Sequence, residues 1–205
     1  LSAGVGGDGR LSAVVTRSNV LVVLEAGKEK GRARLPSQTF TPPLVADGRI
    51  FALTAERTVL AFDADNGRKL WDLARAPEPL ALRQSGVLLA VGDVLVTGVA
   101  GRFVAIDPDN GRLLWDAPLA TPRGANDVER LVDLVGGVSR LNNQVCARAF
   151  QSAVGCVDAR RGTLAWTHSA NGVQGVHGDE ELLLGTESNG MLIAWNRLDG
   201  KQRWA

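Results

Sequence analysis

Histidine and cysteine are scarce in this sequence, two of each among 205 residues. They are the side chains most used as metal ligands and as nucleophiles near neutral pH. Cys146 and Cys156 stand ten apart with only His168 and His177 nearby, which does not match zinc-ligand spacing, so no metal site is expected. A Gly-rich phosphate loop with a lysine, a nucleophile elbow and a His-Glu-x-x-His run are all missing. These absences predict a chain without enzymatic activity or cofactor. Charge excess is missing too: 23 Lys and Arg against 22 Asp and Glu give a net charge of +1, which speaks against a nucleic-acid partner. No apolar run approaches the roughly 20 residues that span a bilayer as a helix. Nor does any segment sustain a 3.6-residue period, so the chain reads as all-β.

What is present is a repeat. Ala61-Phe-Asp-Ala-Asp-Asn-Gly67-Arg-Lys-Leu-Trp71 recurs as Ala105 to Trp115, Cys156 to Trp166 and Ala194 to Trp204. A small residue, Asp or Asn, Gly and Trp hold relative positions 1, 3, 7 and 11 in each copy. A worn fifth copy runs from Glu25 to Leu35, keeping Gly31 and replacing Trp with Leu35. Self-similarity at a period of roughly 40 residues signals a solenoid or a propeller.

Each motif position has a mechanical reading. Asp63, Asp107, Asp158 and Asn196 end a strand by accepting hydrogen bonds from their own turn. Gly67, Gly111, Gly162 and Gly200 supply the positive φ that closes it. Trp71, Trp115, Trp166 and Trp204 each carry about 150–250 Å² of surface, worth several kcal/mol at about 25 cal/mol per Å². One small sheet cannot cover so much, so each indole is expected to dock on the neighbouring unit. Upstream of each motif stands a turn pair, Asp47-Gly48, Gly92-Asp93, Asn142-Asn143 or Gly178-Asp179. Each is followed by a short apolar run, giving four antiparallel strands per repeat, the blade of a β-propeller.

Blades are expected over 1–35 (degenerate), 36–71, 84–115, 134–166 and 173–204, forming a single partial propeller. Four full blades and a worn one do not obviously close a ring. The chain therefore reads as an internal fragment of a larger propeller, which could self-associate; a small closed propeller is the alternative. The connection through Pro77 and Pro79 to Leu80, Leu82 and Arg83 has two readings: a buried inner strand, or an exposed apolar pair beside an Arg that suits a protein partner. The longest connection, 117–132, is a second candidate loop. Cys146 and Cys156 flank a hairpin centred on Gln151, where Phe51/Ala61, Leu95/Ala105 and Leu184/Ala194 stand in other blades. They read either as a cross-strand disulfide or as two packed thiols. Trp195 reads as an apolar strand position.

The Ala-x-Asp-x-x-x-Gly-x-x-x-Trp motif is similar to the tryptophan-docking motif of pyrroloquinoline-quinone-type propellers. That architecture hosts quinone-dependent alcohol dehydrogenases and non-catalytic scaffolds alike. The dehydrogenases usually carry adjacent cysteines and a calcium site, neither of which is found in this sequence. Leu80-Ala-Leu82-Arg83 and Glu129-Arg130-Leu131-Val132-Asp133 together resemble the BamB family of outer-membrane β-barrel assembly factors. The resemblance implies an eight-bladed ring, a periplasmic location at the outer membrane and a lipid anchor. It further implies a face for the POTRA domains of BamA made by Leu80, Leu82, Arg83 and Asp133, with Glu129 and Arg130 at the rim. Some members carry a second acid where this chain has Val135. A periplasmic dehydrogenase and a generic protein-binding propeller are the competing expectations.

Overall fold

A computed structural model describes residues 1–74, 80, 82–122, 125–127 and 130–205. Pro77, Pro79 and Glu129, singled out above, lie outside the described residues. The described residues fold into five four-stranded antiparallel sheets, each built from strands in sequence order. The first holds β1 (Gly6–Gly7), β2 (Leu11–Val15), β3 (Val20–Glu25) and β4 (Lys28–Arg34). The second holds β5 (Leu44–Ala46), β6 (Arg49–Leu53), β7 (Val59–Asp63) and β8 (Lys69–Leu73). The third holds β9 (Leu88–Val91), β10 (Val94–Val99), β11 (Arg102–Ile106) and β12 (Leu113–Pro118). The fourth holds β13 (Leu134–Leu141), β14 (Gln144–Ala149), β15 (Ala153–Asp158) and β16 (Thr163–Ser169). The fifth holds β17 (His177–Gly178), β18 (Leu182–Thr186), β19 (Leu192–Asn196) and β20 (Gln202–Trp204).

The apolar pattern explains the stacking. In β2, alternate residues are buried, because the first sheet has a neighbour on one face only. In β7 and β15 the run is almost continuously buried, because the second and fourth sheets are covered on both faces. Four core layers result, one between each successive pair of sheets. Leu21 and Val23 meet Ile50 and Phe62; Phe51 and Trp71 meet Leu95 and Ile106. Val96 and Phe103 meet Val145 and Val157; Cys156 and Trp166 meet Leu183 and Trp195.

The motif turns lock these layers. Asp63 Oδ1 accepts from the N–H groups of Asp65 and Asn66, and Asp158 and Asn196 cap their own turns in the same way. Gly111 has φ of 78° and Gly162 of 69°. Each glycine also carries the preceding sheet's indole: a Cβ on Gly111 would lie 2.7 Å from the Trp71 ring, and one on Gly162 would lie 2.5 Å from Trp115. The indole Nε1 then donates to a carbonyl of the same turn, Trp71 to Pro108, Trp115 to Ala159 and Trp166 to Arg197, at 2.9–3.0 Å. Trp204, on the outer strand of the fifth sheet, is 46% exposed. A bulge recurs opposite the indole, as at Ala61/Phe62 and Ala105/Ile106, and turns it toward the next sheet.

Two registers differ from expectation. In the third sheet Ala105 faces Val96, and Leu95 faces Ile106. The two-residue turn Ala100-Gly101, both at positive φ, replaces a longer loop and shifts the pairing by one. In the first sheet Gly31 faces Val23, the register occupied by Trp71 opposite Ala61 in the second. The hairpin there closes through Ala26-Gly27, so Gly31 is not the turn glycine. With no indole available, the backbone of Arg32 packs directly on Gly67.

Candidate partner-binding face

Two connections are bonded to each other and to the turn between β6 and β7. The first leads from β8 to β9 and carries Leu80, Leu82 and Arg83. The second leads from β12 to β13 and carries Arg130 and Asp133. Leu80 and Leu82 lie outside any strand; Leu80 is 41% exposed and Leu82 half-buried. Neither described leucine is fully buried or part of a strand, and only Leu80 is exposed.

A residue with no motif to mark it joins the two loops. Arg57 sits in the turn between β6 and β7, at φ 60° and 8% exposed. Its Nη2 donates to Asp133 Oδ1 at 2.5 Å and to the Leu80 carbonyl at 3.2 Å. The second carboxylate oxygen of Asp133 accepts the N–H of Leu82 at 3.1 Å, and the Phe150 N–H donates to the Asp133 carbonyl at 2.9 Å. Asp133 is therefore engaged on both oxygens within the chain, where it holds the leucine loop. Farther along, the Gly86 N–H donates to Thr41 Oγ1 at 2.9 Å, and the Gly136 N–H donates to the Ser85 carbonyl at 2.6 Å.

Arg83 and Arg130 are exposed, and neither side chain makes a hydrogen bond or ion pair among the described residues. Val135 is buried in β13 opposite Arg148, so no side chain at that position reaches the face. A shallow hollow of about 90 Å³ lies beside Arg57, lined by Leu80, Ala100, Pro122, Leu131 and Val132 together with the charged Asp127 and Arg130.

The remaining candidates lie away from this face. Cys146 and Cys156 are directly paired across β14 and β15, joined by a disulfide and buried against Trp166 and the fifth sheet. Trp195 is buried, with the Arg148 guanidinium 5.9 Å from its ring. Arg148 is fully buried and pairs with Glu187 at 2.9 Å, tying the fourth sheet to the fifth. Sequence reasoning missed Arg57 and Arg148, two of the three buried arginines among the described residues, because neither belongs to the repeated motif. His168 and His177 are exposed on strands, and among the described residues no three His, Cys, Asp or Glu side chains are grouped to hold a metal. Asp179 and Asp199, in turns of the fifth sheet, sit below the usual carboxylate range because backbone N–H groups favour the charged form: those of Leu182 and Glu181 for Asp179, and that of Lys201 for Asp199.

Comparison with known proteins agrees with this architecture. A family model described as outer membrane protein assembly factor BamB matches residues 1–205. The protein of that name from Burkholderia pseudomallei is 33% identical over 207 residues, covering 100% of this chain and 54% of its own length. Its counterpart from Bordetella pertussis is 31% identical over the same span and shares. The chain thus spans about half the length of these relatives. The crystal structure of BamB from Moraxella catarrhalis superposes with a TM-score of 0.90 at 21% identity, over 99% of this chain and 63% of that one. A europium-containing methanol dehydrogenase superposes at 0.77 and 15% identity, over 97% of this chain and 50% of its own. At those identities the structural likenesses establish the fold.

Proposed function

The chain belongs to the family of the outer membrane protein assembly factor BamB, and we propose that it is a non-catalytic scaffold segment of the outer-membrane β-barrel assembly machinery. On this reading it works in the periplasm at the outer membrane, in a protein that is lipid-anchored there. Its partner is the periplasmic POTRA domains of the barrel subunit BamA. Leu80 and Leu82 supply the apolar anchors, Arg83 and Arg130 the charge, Glu129 the rim, and Asp133 the brace behind them.

One observation carries the reading: Arg57 and Asp133 tie the leucine loop to the next connection, so that two loops from different sheets form one fixed surface. Ordering the loops before contact lowers the entropy that binding must overcome. The residues fit a quinone cofactor poorly. The two cysteines are cross-strand partners buried between sheets, not adjacent residues at a cofactor face.

Calorimetric titration of the chain against the POTRA domains tests this. Leu82→Asp or Arg83→Glu is expected to abolish binding while far-ultraviolet dichroism and the melting temperature stay as in the parent. Unchanged affinity in both variants would overturn the proposal.

A further inference from the structure

Beneath Leu82 lies a second cavity, of about 50 Å³, bounded by Arg57, Gln84, Thr41, Thr54, Ser85 and Asp133. Two buried donors of its wall, Arg57 Nη1 and Gln84 Nε2, have no partner among the described residues. Four acceptor oxygens of the wall already take bonds from other donors. Asp133 takes Arg57 Nη2 on one oxygen and the Leu82 N–H on the other; Thr54 Oγ1 takes the Thr58 N–H, and Thr41 Oγ1 takes the Gly86 N–H. Native proteins seldom leave buried donors empty-handed, so the cavity calls for an acceptor that none of these bonds supplies.

Its chemical class follows from the charge balance. Arg57 is neutralised by Asp133 at 2.5 Å, and an entering carboxylate would sit beside that carboxylate. A carbonyl oxygen brings two lone pairs for two N–H groups and adds no charge. Resting on the face described under Proposed function, we propose that this cavity is a subsite for an uncharged oxygen acceptor of the partner, a main-chain carbonyl or a carboxamide. That group enters as the partner's apolar side chains cover Leu80 and Leu82. Arg57, held in the left-handed region, is the positioning residue, and Gln84 supplies the donor that reads the acceptor.

A first measurement needs no partner. The Gln84 side-chain amide resonances are followed by NMR while the chain is titrated with N-methylacetamide or with acetate. The expected result is a saturable shift with N-methylacetamide and a weaker one with acetate. No shift, as for a cavity that holds only water, or a stronger response to acetate overturns the assignment. The second measurement is titration of Gln84→Leu and Gln84→Glu with the POTRA domains. Gln84→Leu is expected to weaken binding about tenfold and Gln84→Glu further, because it faces the acceptor with another acceptor. Gln84→Leu binding as tightly as the parent overturns the partner's use of the subsite. A parent that shifts with N-methylacetamide but ignores the POTRA domains upholds the acceptor site and removes the proposed partner instead.

Discussion

Asp133 and Arg57 stand 76 residues apart in the chain and 2.5 Å apart in space, each on a different connection and both largely buried. Their contact, with the bonds from Arg57 to the Leu80 carbonyl and from the Leu82 N–H to Asp133, joins the two connections. Breaking such a pair by removing one partner strands a buried charge, at a cost of about 3–5 kcal/mol. Asp133→Ala and Arg57→Ala are each expected to lower stability on that scale. The double variant should lose clearly less than the sum of the two, because no orphan charge remains. Chemical denaturation of the four proteins checks the cycle; strict additivity would mean that the two residues act separately.

The motif glycines do two jobs, and a pair of substitutions separates them. Gly92 has φ of 55° and open space where a Cβ would go, so Gly92→Ala meets the backbone cost alone, about 1 kcal/mol. Gly111 has a similar φ, but a Cβ there would lie 2.7 Å from Trp71. Gly111→Ala is expected to cost at least about 2 kcal/mol more, since the indole must leave its seat and its bond to Pro108. For a chain of this size each kcal/mol shifts the melting temperature by about 2–4 °C. Equal melting points for the two variants would show that the indoles do not fasten the sheets.

The Cys146–Cys156 bridge is buried between the fourth and fifth sheets. Iodoacetamide is therefore expected to leave the native chain unlabelled, and labelling should appear only after unfolding with reductant. The bridge closes a ten-residue separation, and loop-closure entropy assigns it about 2–3 kcal/mol. Replacing both cysteines by alanine should reduce stability by about that amount. Alkylation of two thiols in the oxidised, unfolded chain would contradict the bridge.

Much of the fold was legible because the repeat encodes local physics. Asp63, Gly67 and Trp71 stand at fixed spacing since a turn cap, a positive φ and a docking ring must each fall at one place in a hairpin. The Asp47-Gly48 type of pair marked the other turns for the same reason. Registers were harder, because they depend on loop length: Ala100-Gly101 closes in two residues and moves Ala105 opposite Val96. The worn first repeat misled through Gly31, which resembles the turn glycine in spacing but faces Val23. At the candidate face, Leu80, Leu82 and Arg83 stood out as an apolar pair beside a charge. Arg57 did not, since nothing in its neighbours announces a contact 76 residues away. Arg148 escaped for a related reason: a charge in a central strand is anomalous until its partner, Glu187, is known.

The most direct test of the central claim is hydrogen–deuterium exchange of the chain with and without the POTRA domains. The account predicts that added partner slows exchange at the amides of Leu82, Arg83 and Gln84 and at Leu131 to Asp133, and leaves the motif turns at Asp63–Gly67 and Asp107–Gly111 unchanged. Protection centred on those turns, or no protection anywhere at saturating partner, would contradict it.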